Sequence, residues 1–345
     1  MNQGARGGVG CGSRRVSMAD VAAMAGVSQQ TVSRVVNGRT EVSDSTRERV
    51  QEAMEKLGFR PNYAGRSLRG GRYRAIGLCM NDITMAGNSA TVTGLLSAAR
   101  ENGYAVSMIE PDPYAPLSLT DAARRLSELP VDGIIINMNT SVIAEDFESF
   151  VPFPNLETVI MSMYAHPKCS TVDSDHYDCG VRLCEYLMAH GHREIRFIAG
   201  PEHSIPSDFR ESAWREVLGR AGLPVVEPYR GDWSANSGYE IGIKLARDKE
   251  MTAIFAGNDQ MALGAMLALH DCGLQVPEDV SVVGVDDSLE GIVPHNMLTT
   301  VKFDLFERGR RVFDCAVGTL GSQGNPVAIR LPGTLIERAS VRDIR

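Results

Sequence analysis

Apolar residues recur in two rhythms along this chain, and the rhythm changes near residue 74. Before that point they return every three or four positions: Val21, Ala22 and Ala25, then Val32, Val35 and Val36, then Val50, Met54 and Leu57. That spacing gives each of three short helices one apolar face. Ser17 followed by Asp20 predicts a capped start for the first helix, Gly26 a left-handed end, and Ser28 the cap of the second. Ser45 with Glu48 predicts a capping box in a third helix spanning 43–57. Gly58-Phe59-Arg60-Pro61-Asn62 ends it, because proline cannot continue a helix.

Beyond residue 74, short apolar runs alternate with amphipathic stretches. Strands are expected at 75–79, 105–109, 133–137 and 158–161, with helices at 89–102 and 119–129. A second series begins near Asp173: helix 178–190, strand 195–199, helices 207–221 and 237–248, strand 253–256, helix 259–272 and strand 280–285. Strand and helix in alternation imply parallel sheets covered on both faces. Two such series imply two doubly wound α/β subdomains behind an all-α head.

Composition refines this picture. The chain has 345 residues, 43% hydrophobic and 23% charged, which suits two or three globular domains. Its net charge of −8 argues against nucleic acid until it is divided by region. Residues 1–73 carry 12 Lys and Arg against 6 Asp and Glu, a net of +6, whereas 74–345 carry 23 against 37, a net of −14. A basic head on an acidic body is what phosphate neutralisation by the head requires. Seven cysteines without Cys-x-x-Cys spacing read as reduced thiols rather than a metal site. No apolar run approaches a membrane span, and the glycine- and arginine-rich residues 1–15 lack the apolar core of a signal peptide. They read as a disordered tail, since Gly8-Val9-Gly10-Cys11-Gly12 misplaces the third glycine of a nucleotide-binding motif and no strand precedes it. A cytoplasmic protein with no membrane partner is the expectation.

The second helix leaves Gln29, Gln30, Ser33 and Arg34 facing outward, the amide, hydroxyl and guanidinium chemistry that reads adenine and guanine edges in a major groove. On an isolated helix the same residues would serve equally as a solvated face. The whole segment, Asp20-Val21-Ala22 through Ala25-Gly26-Val27-Ser28 and Thr31-Val32-Ser33-Arg34-Val35 to Asn37, resembles the helix-turn-helix of the lactose/galactose-repressor (LacI/GalR) family of bacterial transcription regulators at every fixed position. The resemblance extends over nearly the whole chain from Val16. It implies a periplasmic-binding-protein-like body in which the chain crosses between subdomains three times. It also implies DNA contacts from Ser28, Gln29, Gln30, Thr31, Ser33, Arg34, Asn37 and Asn62. The segment 61–73 resembles the family's hinge helix, with Leu68 in the place of the leucine that wedges into the minor groove. Alone, that segment is too short to be a stable helix, and Gly65 weakens it further.

The expected divisions are a helix-turn-helix domain at 16–60, a hinge and linker at 61–73, and an effector-binding and dimerisation body at 74–345. Within the body, subdomain N takes about 74–173 and 305–325, and subdomain C takes about 174–304 and 326–345.

Ligands of such sheets lie beyond the carboxyl ends of strands. Arg210, Trp233, Asn258 and Asp286 all follow predicted strands. An arginine and an aspartate can each make paired hydrogen bonds to vicinal hydroxyls, while an indole covers the apolar face of a pyranose. Each also has a plainer role: Arg210 on a helix surface, Trp233 in the core, Asn258 as a helix cap, Asp286 in a turn. The resemblance assigns these four to effector binding. Where the family's lactose-responsive member has a further sugar-contacting aspartate this chain has Ser162, and where it has a cleft glutamine this chain has Phe303. Both changes remove a polar anchor, so the effector is expected to be another sugar or a glycoside with an apolar aglycone, with Asn81 as a replacement anchor. No cofactor, metal site or catalytic constellation is expected.

The leading expectation is a homodimeric repressor released from a pseudopalindromic operator in double-stranded DNA by a small saccharide. A dimer is expected because no leucine-heptad tail follows Leu335. The alternatives are a regulator that needs a corepressor such as a purine, and a sugar-binding transport or sensor protein.

Overall fold

The computed structural model describes residues 16–36, 41–59, 72–112, 117–137 and 144–345. The chain divides into two compact units, Met1–Tyr73 and Arg74–Arg345.

In the first unit, α1 (Met18–Ala25) opens with a complete capping box. Asp20 N–H donates to Ser17 Oγ at 3.4 Å, and Ser17 N–H donates to the Asp20 carboxylate at 2.8 Å. Gly26 closes the helix in the left-handed conformation at φ 65°. The next helix, α2 (Gln29–Val36), starts after Ser28, whose Oγ accepts the Thr31 N–H at 3.1 Å. The third, α3 (Asp44–Leu57), differs from expectation at its start. Its N-cap is Ser43, in extended backbone, so Ser45 already lies inside the helix and no Ser45–Glu48 box forms. Val21, Ala22, Ala25, Val32, Val35, Val42, Val50 and Ala53 bury one shared core, with Met54 and Leu57 at its edge.

The second unit holds two six-stranded sheets. The first contains β1 (Ala75–Cys79), β2 (Ala105–Ile109), β3 (Gly133–Asn137), β4 (Glu157–Met161), β5 (Ser170–Ser174) and β11 (Ala328–Leu331). Its order is β11-β5-β4-β3-β1-β2, and every pairing is parallel. The second contains β6 (Ile195–Ala199), β7 (Tyr229–Arg230), β8 (Ala253–Ala256), β9 (Ser281–Val285), β10 (Thr299–Phe303) and β12 (Gly333–Ile336). It runs β12-β10-β9-β8-β6-β7, with only β12 antiparallel.

Helices α4 (Ala86–Glu101), α5 (Leu119–Ser127), α6 (Ala144–Ser149) and α11 (Leu305–Ala316) serve the first sheet. Helices α7 (His176–Ala189), α8 (Ile205–Arg220), α9 (Ala235–Leu245) and α10 (Asp259–Asp271) serve the second. The chain therefore crosses three times, after β5, after β10 and after β11. Because β11 pairs with β5, the last crossing falls at Pro332, later than the boundary expected near 325. Helices α4 and α11 meet backbone to backbone, and a Cβ on Gly94 would lie 1.9 Å from the Phe306 carbonyl oxygen.

In both sheets the strand order reverses beside the first strand, between β1 and β3 in one and β6 and β8 in the other. The loops leaving those strands diverge there, which opens a crevice at the carboxyl ends. Among the described residues, no helix is long and apolar enough to cross a membrane, and no three His, Cys, Asp or Glu side chains are grouped to hold a metal. Cys79, Cys169, Cys179, Cys184, Cys272 and Cys315 are all free thiols.

Candidate functional site

On α2, burial of Val32 and Val35 forces the opposite face outward, and Gln29, Gln30 and Arg34 are exposed there. Ser33 is half-buried beside them. Ser28 and Thr31 are engaged with each other, Oγ to Oγ1 at 2.9 Å, which makes them first of all the cap of the helix. Asn37, Asn62 and Leu68 lie outside the described residues. The head thus presents two amides and a guanidinium on one ridge, held by a helix that is itself fixed by α1 and α3.

The second candidate site is built at the carboxyl ends of the second sheet. Arg210 projects from α8, which starts two residues earlier than expected because Pro206 suits the first helical turn. The side chain is not on a surface: the residue is 3% exposed. Its Nη1 donates to the Gly257 carbonyl at 2.5 Å, and its Nη2 donates to His176 Nδ1 at 3.1 Å. The same Nη2 stands 3.7 Å from Asp286 Oδ1, and Nε is buried with no protein partner. The guanidinium carbon lies 5.8 Å from the centre of the Trp233 ring and 6.0 Å from that of Phe303, within cation–π reach of both.

Trp233 adopts φ 72°, a strained backbone for a bulky residue. Its ring lies over Gly200, where a Cβ would come within 2.2 Å of the indole. Asn258 caps α10 through Oδ1 to the Met261 N–H at 2.9 Å. Its Nδ2 donates to the Trp233 carbonyl and to Gln260 Oε1, both at 2.9 Å. Asn258 is therefore a cap and a brace for the Trp233 loop at once. Asp286 and Asp287 part company. Asp286 faces Arg210, while Asp287 is held by Arg338 at 2.7 Å and Lys302 at 3.4 Å.

The structure brings Arg210, Trp233, Asn258, Asp286 and Phe303 into one group. Asn81 and Ser162 belong to the other sheet, after β1 and β4. The Asn81 carbonyl accepts from Asn88 Nδ2 at 2.8 Å, and the buried Ser162 Oγ accepts the Tyr164 N–H at 3.1 Å.

Sequence reading missed the groups that link the two halves of this crevice. His176 stands between Arg210 and Asp173, with Nε2 3.5 Å from Asp173 Oδ1. Arg308, from α11, meets Asp173 at 2.9 Å, Thr91 Oγ1 at 2.6 Å and the Gly87 carbonyl at 3.2 Å. Burial depresses the His176 pKa, and the two arginines depress it further against the pull of Asp173. The ring is therefore neutral, taking Arg210 at Nδ1 and presenting Nε2–H toward Asp173. Burial alone would raise the Asp173 pKa, yet it is lowered, first by His176, whose Nε2–H faces it, and then by the Arg308 cation and the Ser174 N–H. Asn137, at the end of β3, donates to Asn88 Oδ1 at 3.1 Å, while its own Oδ1 is buried and unpartnered. One signal for Arg308 was present: it falls on the helical face that carries Leu305, Val312 and Phe313.

A helix-turn-helix head with an exposed amide and guanidinium ridge, joined to a two-sheet body with a polar crevice, defines a ligand-responsive DNA-binding regulator. Residues 17–62 match the model of the bacterial regulatory proteins of the lacI family, and residues 184–341 match that of the periplasmic binding protein-like domain. The chain is 33% identical over 330 residues to the lactose operon repressor of Escherichia coli (strain K12), covering 94% of this chain and 90% of the repressor. Among solved structures it is similar to the Lac repressor dimer bound to operator and the anti-inducer ONPF, with TM-score 0.80, 32% identity and coverage of 95% and 100%. It is also similar to the CelR–cellobiose complex, with TM-score 0.65, 29% identity and coverage of 94% and 100%. The chain belongs to the LacI family of bacterial transcriptional regulators. Its relatives are regulators rather than enzymes.

Proposed function

We propose that the protein is a homodimeric repressor whose α2 ridges read the two half-sites of a pseudopalindromic operator, and which a small saccharide or glycoside releases. The observation that carries the effector reading is the buried Arg210, aimed between Asp286 and the Trp233 ring with Nε unpartnered. A sugar hydroxyl can fill that position, bridge to Asp286 and leave its C–H face to the indole. The similar structures support the reading: the Lac repressor one is a dimer bound to operator, and the CelR one is a complex with cellobiose. Gln29, Gln30 and Arg34 carry base recognition, with Ser28, Thr31 and Ser33 supporting it. By resemblance, Asn37 and Asn62 add contacts and Leu68 wedges the operator centre. Asn81, Ser162, Asn258 and Phe303 complete the effector cleft. Such a protein works in the bacterial cytoplasm, on the nucleoid.

The effector acts only if it binds one arrangement of the two sheets better than the other. A corepressor such as a purine is the second reading. Arg210 sits between the faces of Trp233 and Phe303, an arrangement that also suits a planar base. An electrophoretic binding assay on the protein's own promoter region, with and without mono- and disaccharides and purines, separates them. Saccharide-dependent release supports the proposal; purine-dependent tightening supports the second reading; unchanged affinity with every compound overturns both.

A further inference from the structure

An aromatic cluster stands outside the Arg210 group, and the effector reading above does not use it. Tyr164, in the loop after β4, packs on Phe209 of α8 with ring centroids 5.1 Å apart and planes tilted by 49°. One ring comes from each half of the body. Phe147 of α6 supports Tyr164 at 6.1 Å and crosses the buried His166 edge-on at 5.1 Å. Phe150 packs on the other side of that imidazole at 5.9 Å. His166 Nδ1 accepts the Lys168 N–H at 3.1 Å, so the turn carrying Tyr164 is held from both ends, by His166 and by the Ser162 hydroxyl. Tyr164 is nonetheless 51% exposed. The fold fixes this ring and leaves half of it open.

Its place matters because of its neighbours. Phe209 directly precedes Arg210, and Tyr164 lies two residues beyond Ser162. The pair joins the segment after β4 to α8, the two segments that also carry Ser162 and Arg210. The interior, meanwhile, offers few hydroxyl anchors. Ser162 Oγ already accepts the Tyr164 N–H, Phe303 is apolar, and the Asn258 amide is committed to Trp233, Gln260 and Met261. A single sugar ring would be gripped by the Arg210 and Asp286 charges, with Asn81 and the Ser162 O–H as the remaining polar anchors. A ligand that continues toward the aromatic pair gains a stacking surface, since aromatic faces pack equally on the C–H face of a pyranose and on another arene.

We propose that Tyr164 and Phe209 form a second subsite at the mouth of the cleft, which selects a glycoside carrying a second ring, sugar or aryl, over the free monosaccharide. This rests on the saccharide reading of the cleft. Because the two rings touch in the ligand-free protein, the second ring lies on the open side of Tyr164 rather than between them. A different role is conceivable for the same pair, a latch that only holds the two halves together. A latch would weaken every ligand alike when cut; a subsite weakens only those that reach it.

Titration calorimetry on the full chain, wild type against Tyr164→Ala and Tyr164→Phe, distinguishes these. The probes are glucose and galactose, their methyl glycosides, cellobiose and lactose, and the nitrophenyl glycosides of the same sugars. The wild type is expected to prefer the two-ring ligands by tenfold or more, which corresponds to about 1.4 kcal/mol. Tyr164→Ala should abolish most of that preference while leaving monosaccharide affinity within about twofold, and Tyr164→Phe should keep it, because the ring rather than the hydroxyl stacks. Loss confined to the disaccharides or to the aryl glycosides identifies the second ring. Equal losses for one- and two-ring ligands, or no loss for either, overturn the subsite while the cleft reading stands. A wild type that binds none of the probes overturns the cleft reading and the subsite together.

Discussion

The Arg210 guanidinium stands 3.7 Å from the Asp286 carboxylate, and its buried Nε has no hydrogen-bond partner among the described residues. Its remaining nitrogens are fixed by the Gly257 carbonyl and His176. This is a donor held in place and left unfilled, which is how a site is prepared for a ligand. Arg210→Ala should lower effector affinity about 100-fold or more, since hydrogen bonds to a charged group are worth roughly 1.5–3 kcal/mol each. Arg210→Lys should also fail, because an ammonium cannot reproduce the planar fork. Operator binding without effector should survive both changes. Calorimetry and an electrophoretic assay on the same preparations check the pair of outcomes; loss of operator binding would show that Arg210 acts on the fold.

Arg308 and Asp173 make the buried pair that ties α11 to β5, at 2.9 Å. Removing one member leaves a charge without a partner, at a cost of about 3–5 kcal/mol. Arg308→Met should therefore lower the denaturation midpoint markedly, and Arg308→Met with Asp173→Asn should recover part of the loss. Urea unfolding of both variants measures it. A single variant as stable as wild type would contradict the pairing.

Asp259 is fully buried, with Oδ1 accepting from Thr300 at 2.7 Å and Oδ2 from the Ser288 N–H at 2.7 Å. Burial, and then the nearby Asp286 carboxylate, push its pKa up to about 7. Its unfolded value is near 3.9. The folded state therefore holds this proton more tightly, so the stability it contributes is full below about pH 4 and is lost as pH rises through 7. Asp259→Asn should gain stability relative to wild type between pH 5 and pH 8. His192, which burial holds down to about 4, works in the opposite sense, losing stability as pH falls from 6.5 toward 4. It is common to both proteins and cancels in the difference. Melting temperatures of the two proteins across that range decide the matter; a constant difference would show that Asp259 does not titrate there.

Arg34, exposed on α2, should behave as a base reader rather than a phosphate contact. Arg34→Ala should cost roughly 1–3 kcal/mol at the cognate operator and relax preference at one position of each half-site. A uniform loss on all sequences, with a salt slope shallower by about one, would assign Arg34 to the backbone instead. Anisotropy titrations on a set of operator variants distinguish the two.

How much of this was legible beforehand depended on the kind of signal. The capping box at Ser17, the left-handed Gly26 and the strands of 75–79, 105–109, 133–137, 195–199 and 253–256 were local features, and the structure has them where expected. Strand β5, Ser-Thr-Val-Asp-Ser, was missed because it is buried on both faces while carrying mostly polar side chains. Strands β11 and β12 are short, and only their pairing shows that the chain passes from one sheet to the other at Pro332. In the cleft, Arg210 and Asp286 were visible as polar residues after strands. His176 and Asp173 were not, because they acquire meaning only from Arg210 and Arg308, which lie far from them in sequence.

The central claim is that occupancy of the Arg210 cleft and operator binding oppose each other in one molecule. Linkage makes this reciprocal: a saccharide that weakens operator affinity by some factor must itself bind the operator complex more weakly by the same factor. Calorimetric titration of the releasing saccharide into the full-length protein, free and saturated with operator, measures both sides. The account predicts matching factors of about 5 to 150, the range of typical couplings, and their loss in Arg210→Ala. Equal saccharide affinity for the free and operator-bound protein would contradict it.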